Sequence, residues 1–509
     1  MFAWVLERPH STLGDPGPER EISERRLTDA TDPHPHASPR SAPQPISVSG
    51  DLLLPVERLA HEKPLRCGPA TTIRDVASLM SRRHQDAALV ENGRVQGIVT
   101  DADLRDKVVA AGLSPEAPVG MIMSRPVITV PAGTPIHEAA AEMLVAGIRH
   151  LPVVDGDGRV VALVAADHFL TADESGPLAL FRAVQHAADE DAVAAAAADL
   201  PALFCGLVDT GLEPATVSHI LTIQHDAMTR RLIDLSVRRH GTPPVDFAWL
   251  ALGSAARGEL TLVSDQDNAL AYAPTDDPAV ESYFRQLARD VNRGLTACGF
   301  AADISGVLAQ EQMWRHPMDE WVRIVERCLD VPNRSHLMRA TIAFDLRQVA
   351  GELPLVPAVA GLMATAPQHS SFLAALAGTV TEIASPLGFR RRLAGAVDLK
   401  KRGLVPIVNL ARYFTLSEGI VCSGTAERLE QLARSEVLHG ETVEALRDAY
   451  ATIARLRMVR HAELVRTGAQ PSNVVDAESL PRLTRAGLLE ALRVVRDAQC
   501  LLPPPLHGW

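Results

Sequence analysis

Ala248-Trp249-Leu250-Ala251-Leu252 is an unbroken apolar run of strand length, and Gly253-Ser254 breaks it to open a short turn or helix. Asn268-Ala269-Leu270-Ala271-Tyr272 reads as a second strand. From Pro278 to Ala297 apolar residues recur at helical spacing, and Gly299-Phe300-Ala301-Ala302-Asp303-Ile304 can form a further strand. Upstream, one pattern occurs twice. Thr71–Val76 leads a helix through Met80, followed by Ala87–Val90, a turn at Asn92-Gly93 and Gly97–Leu104. Thr134–Ala139 leads a helix through Met143, followed by Leu151–Val154, a turn at Asp157-Gly158 and Ala162–Phe169. Each copy reads helix, strand, turn, strand, helix, and such a unit buries its apolar face against its twin. Pro177 to about Arg239 is helical in pattern, as is everything after Trp314, where Leu429, Leu432, Ala433 and Val443, Leu446, Ala449, Tyr450, Ile453 recur at three and four.

These patterns predict a multidomain α/β and α protein. Its parts are two α+β repeats at 51–112 and 116–172, a helical linker at 176–242, an α/β core at 243–312 and a helical bundle at 313–509. Residues 1–50 are rich in Pro, Ser, His and Asp, too polar to bury a core, and are expected to be disordered.

Composition adds exclusions. The 509 residues are 47% hydrophobic, enough for several ordinary cores. No run of about eighteen apolar residues lacks a charge, so no membrane span is expected. Cys67, Cys205, Cys298, Cys328, Cys422 and Cys500 show no paired spacing, which fits reduced thiols in a cytoplasmic protein. The net charge of −12 and only 4% aromatic residues argue against a nucleic-acid partner.

The chemistry concentrates where the two strands meet. Asp265 and Asp267 stand at alternate positions, so an extended backbone turns both carboxylates the same way. Two neighbouring carboxylates repel unless a cation lies between them, and a hard ion such as Mg²⁺ suits oxygen ligands. Gly253 lets the backbone approach a phosphate closely.

The order Gly253-Ser254, Arg257, Glu259, Ser264, Asp265, Asp267 resembles the signature of the nucleotidyltransferase superfamily that includes DNA polymerase β, in the form of its protein-PII uridylyltransferase branch. The resemblance implies Mg²⁺ on Asp265 and Asp267, a nucleoside triphosphate substrate held by Gly253 and Ser254, and Arg257 and Glu259 fixing the turn, with phosphate also in reach of Arg257. A third carboxylate is usual on the next strand, and Asp303 is the candidate. The alternative is a fold that kept the turn and lost the chemistry.

The repeated unit resembles a tandem pair of CBS domains, which bind adenine nucleotides between the copies. The first copy holds the ribose-binding pattern in full at Gly97, Thr100 and Asp103, whereas Ala162, Ala165 and His168 replace it in the second. One nucleotide site is therefore expected at most, the alternative being a pair that serves only dimerisation. The segment Val397–Arg412 contains Lys400 and Lys401 and resembles the helical domain that follows the nucleotidyltransferase domain in bacterial CBS-containing signalling proteins. These lysines are candidates to reach the triphosphate or the acceptor, or are a solvated helix end. Arg390-Arg391-Arg392 reads as surface. His225-Asp226 reads as a solvated helix face, because the further ligands of a His-Asp phosphohydrolase are not found.

The resemblance covers about residues 52–505 and implies a Mg²⁺-dependent nucleotidyltransferase, regulated by an adenine nucleotide and expected as a homodimer. Its acceptor would be a hydroxyl on a small regulatory protein. The competing readings are a non-catalytic sensor acting through a partner and, against the charge balance, an enzyme acting on RNA ends.

Overall fold

The computed structural model describes residues 54–60, 63–169, 176–302, 306–332, 344–383, 387, 395–435 and 437–503. The segment 1–50, Asp303 and the cluster Arg390-Arg391-Arg392 lie outside the described residues.

The two repeats fold alike. In the first, β1 (Leu65–Cys67) precedes α1 (Ile73–Arg83), β2 (Ala87–Glu91) and β3 (Val95–Thr100). In the second, β4 (Val130–Pro131) precedes α2 (Ile136–Ala146), β5 (His150–Val154) and β6 (Val160–Ala165). Each makes a three-stranded sheet with one parallel and one antiparallel pair. The hairpin registers are equivalent, Ala87 opposite Thr100 and His150 opposite Ala165, each with an irregularity at the far end. His150 Nε2 meets Asp86 Oδ1 at 2.9 Å and ties the copies together.

Four helices follow: α3 (Pro177–His186), α4 (Glu190–Ala197), α5 (Leu200–Asp209) and the long α6 (Pro214–His240). The stretch Glu190–Asp209 is long and apolar enough by composition to cross a membrane. In the fold it divides into α4 and α5, and Val193, Ala197, Leu200, Leu203, Phe204 and Leu207 pack into the core.

The central sheet is built from β7 (Phe247–Leu252), β8 (Asn268–Tyr272), β9 (Arg315–Pro317) and β10 (Leu346–Gly351), in the order β10-β7-β8-β9. Strand β7 is antiparallel to both neighbours, and β8 is parallel to β9. The continuous apolar run of β7 has a physical cause: both faces of the sheet are covered. Ala248, Leu250 and Leu252 join one core, and Trp249 and Ala251 the other. On the second face lie α6 and α8 (Pro278–Ala297). On the first lie α9 (Met318–Asp330), α10 (Leu355–Met363), α11 (Ser370–Glu382), α12 (Val405–Ser417), α13 (Thr425–Arg434), α14 (Gly440–Arg466) and α15 (Arg482–Gln499).

Three expectations are corrected. The chain is not wholly helical after Trp314: β9 and β10 complete the central sheet, and β11 (Ala396–Asp398) pairs with β12 (Val474–Asp476). An α/β core ending at 312 would lack two of its strands. Among the described residues of this segment, 299–302, Ala302 makes a parallel bridge to Gln266, and the strand paired along β8 is β9. His225 and Asp226 are not on a solvated face but 5% exposed, and the Arg347 guanidinium donates to both Asp226 oxygens at 2.6 and 3.0 Å. Burial alone would raise the Asp226 pKa, but His225 and Arg347 hold it down at about 2.

Candidate functional site

The end of β7 and the approach to β8 form one polar turn. Leu252 ends the strand, and Gly253–Ala256 makes a single helical turn. Gly253 has φ of +52°, and a methyl group there would lie 2.6 Å from Asp267 Oδ2. Glycine is therefore required both by the backbone and by the approach of Asp267. The Leu252 amide donates to Asp267 O at 2.9 Å, which extends the β7–β8 pairing up to the acid.

Gln266 sets the direction of the two aspartates. It is 1% exposed, and its Nε2 donates to Thr296 Oγ1 and Phe300 O, both at 2.9 Å. Its Oε1 accepts from Asn292 Nδ2 at 3.0 Å, and the same amide reaches Asn268 Oδ1 at 2.9 Å. This network pins the intervening residue against α8, so Asp265 and Asp267, both partly exposed, project from the opposite side of the extended segment. Among the described residues no cluster of three or more His, Cys, Asp or Glu side chains forms, and the third candidate, Asp303, lies outside them.

Lys400, far along the chain, lies near enough for its ammonium to feel the charge of both aspartates. It opens a π-helical turn, Lys400–Leu404, that packs on α14, where a methyl group on Gly403 would lie 2.9 Å from Ile453 Cγ2. Burial and Arg457 push the Lys400 ammonium pKa down, while Asp265 and Asp267 pull it up. Lys401 is exposed, and its backbone amide donates to Asp398 Oδ1 at 2.8 Å. Arg457, a residue the sequence did not single out, is 5% exposed and held by Asn473 Oδ1 at 2.6 Å. The Asn473 carbonyl in turn accepts from the Leu399 amide beside Lys400. Burial lowers the Arg457 pKa to about 10 against the opposing pull of Tyr450, Asp398 and Glu259.

Arg257, Glu259 and Ser264 frame the turn. Arg257 Nε donates to Glu259 Oε2 and its Nη1 to Asp345 Oδ2, both at 2.6 Å. Glu259 Oε1 accepts from the Thr425 amide at 3.1 Å, capping α13. Ser264 Oγ accepts from the Thr261 amide at 2.9 Å and is buried. Asp345, also missed from sequence, is fully buried and carries three guanidinium partners, Arg257, Arg412 and Arg428. Burial opposes its charge, but the arginines hold its pKa far below the carboxylate range. The Arg257 guanidinium thus joins two carboxylates through Nε and Nη1, which makes it a frame for the turn.

In the first repeat Thr100 and Asp103 form a reciprocal cap. Thr100 donates to Asp103 Oδ2 from its amide at 2.9 Å and its hydroxyl at 2.8 Å, and Thr100 Oγ1 accepts from the Asp103 amide at 3.3 Å. A methyl group on Gly97 would lie 2.5 Å from Met123 Sδ, so any side chain there would have to displace Met123. In the second repeat His168 Nδ1 accepts from the Ala165 amide at 3.3 Å. The histidine keeps the capping geometry and loses the carboxylate.

Residues 56–110 and 119–175 match the family described as "CBS domain". Residues 198–335 match "Putative nucleotidyltransferase DUF294", and 370–503 match "Putative nucleotidyltransferase substrate binding domain". The CBS domain-containing protein CBSCBSPB2 of Arabidopsis thaliana is 37% identical over 124 residues, 24% of this chain but only 22% of that protein. A solved CBS domain protein from Pyrobaculum aerophilum, complexed with AMP, is 27% identical, covering 23% of this chain and 89% of that one with a TM-score of 0.22. The CBS domain-containing protein YhcV of Bacillus subtilis is 33% identical over 98 residues, 19% of this chain and 69% of that protein. The chain belongs to the CBS domain-containing proteins, with a DUF294 domain and its substrate-binding companion following the CBS pair.

Proposed function

We propose that the protein is a Mg²⁺-dependent nucleotidyltransferase of the PII-uridylyltransferase type, tuned by an adenine nucleotide at its first CBS copy. The observation that supports this reading is the close approach of Asp267 to the Gly253 turn, with Asp265 two residues before it and both carboxylates acting electrostatically on Lys400. Two adjacent, partly exposed carboxylates on a rigid backbone fit a divalent cation. Magnesium held there would neutralise triphosphate charge and lower the pKa of an attacking hydroxyl. Asp265 and Asp267 would hold it. The Gly253-Ser254 backbone would approach the phosphates, and Lys400 would oppose their negative charge from the helical side. Arg257, Glu259 and Asp345 would keep the turn in place.

The proposed acceptor is a hydroxyl of a small regulatory protein. Pairing of two copies through the CBS region is supported by Val109 and Met121, apolar side chains 78% and 65% exposed. Calorimetry with a non-hydrolysable UTP or ATP analogue tests the reading: Mg²⁺-dependent binding is expected in the native chain and absent in Asp265→Asn. Binding that ignores both Mg²⁺ and the substitution would leave only the sensor reading. Loss of AMP binding on Asp103→Ala, with triphosphate binding intact, separates the two sites.

A further inference from the structure

The carboxylate expected to receive a ribose already holds a cation from its own chain. Lys107 Nζ lies 2.6 Å from Asp103 Oδ1. The same ammonium donates to Ile122 O at 2.8 Å and to Ser124 Oγ at 3.2 Å, so all three of its protons have partners. Ser124 Oγ donates to Asp103 Oδ1 at 3.1 Å, while Thr100 supplies both donors to Oδ2. An ionised carboxylate has about four acceptor positions, and these four donors fill them. Asp103 is 8% exposed, which leaves no open edge for a further pair of hydroxyls.

The two sides of the carboxylate differ in what can be displaced. The Oδ2 donors belong to a cap that fixes the local backbone. The Oδ1 side is held partly by a flexible, half-exposed lysine, 45% accessible. We propose that Lys107 is the resting occupant of the ribose position, a gate that an incoming nucleoside must displace. Once displaced, its ammonium is a mobile charge with three donors, which a phosphate can recruit and an uncharged nucleoside cannot. The gate thereby selects AMP over adenosine. This rests on the reading of the first CBS copy as an adenine-nucleotide site.

Titration calorimetry of the full chain with adenosine and with AMP tests it, comparing the native protein with Lys107→Met. The variant should bind adenosine about fivefold more tightly, the modest change expected when a half-exposed ion pair is the competitor. AMP affinity should rise less, so the preference for AMP should shrink. Lys107→Gln, which keeps donors without the charge, should fall between, and guards against a packing defect in the methionine variant. Adenosine affinity that is unchanged or weaker in both variants, with AMP still bound by the native chain, overturns the gate alone. If neither ligand binds any of the three proteins, the nucleotide site and its gate fall together.

Discussion

At Gly253 the conformation and the contact make the same demand. A non-glycine residue in the left-handed region costs about 1–2 kcal/mol, and the added methyl would also push Asp267 aside. Gly253→Ala should therefore lower Mg²⁺-nucleotide affinity by more than about tenfold while shifting the unfolding midpoint only modestly, as read by calorimetry and thermal denaturation. Lys400 presents the reverse balance. Its partly buried ammonium is a stability burden in the free protein, so Lys400→Met should weaken triphosphate binding by about tenfold and leave thermal stability equal or higher. Asp345 is different again. Removing its charge with Asp345→Asn leaves three guanidiniums against one another in the interior, and a loss of about 3–5 kcal/mol is expected in denaturant unfolding.

Among the elements, β10 is the one that closes the central sheet from far along the chain. It runs antiparallel to β7, and a methyl group on Gly351 would sit 2.0 Å from the Phe247 carbonyl oxygen. Gly351→Ala cannot be absorbed by a side-chain rotation, since the obstacle is backbone at a residue with φ of +84°. The strand pair should part, costing about 3 kcal/mol and depressing triphosphate binding while leaving AMP binding in the CBS pair unchanged. Strand β10 also carries Arg347, which donates to the Ala255 carbonyl at 3.0 Å as well as to Asp226 on α6. One arginine thus joins the long helix, the sheet edge and the turn beside the aspartates.

For the whole molecule, that junction makes stability depend on pH in a stated window. The Asp226 pKa is about 2 in the fold, below the ordinary carboxylate value, so the folded state favours its charged form. Its contribution is complete above about pH 4 and is lost as pH falls from 4 towards 2, amounting to about 2 kcal/mol. Native protein and Asp226→Asn should differ in urea unfolding at pH 7, and the difference should close near pH 2. Helix α2 of the second CBS copy packs on α6. The same long helix thus touches both the CBS pair and, through Arg347, the turn beside the aspartates, and on the proposed reading AMP should change triphosphate affinity only if it binds two arrangements of α2 on α6 unequally.

Local patterning determined a good deal of this protein. Strands β7 and β8 and helix α8 were legible because burial on one or two faces leaves a period in the residues themselves, and the repeat was legible because each copy solves the same packing problem. The alternation of Asp265 and Asp267 already put both acids on one side. What the chain alone did not disclose were contacts whose partners lie far apart in sequence. Strand β10 pairs with β7, Asp345 collects three arginines from three elements, and Asp226 is buried by Arg347 rather than solvated. Gln266, between the two aspartates, is anchored to Thr296 and Phe300 and thereby aims its neighbours. The order Gly97, Thr100, Asp103 marked this carboxylate as a candidate, but only the folded chain brought Lys107 and Ser124 to one of its oxygens. Charges buried at long range pair with whatever the tertiary fold brings near them, and no local period records that choice.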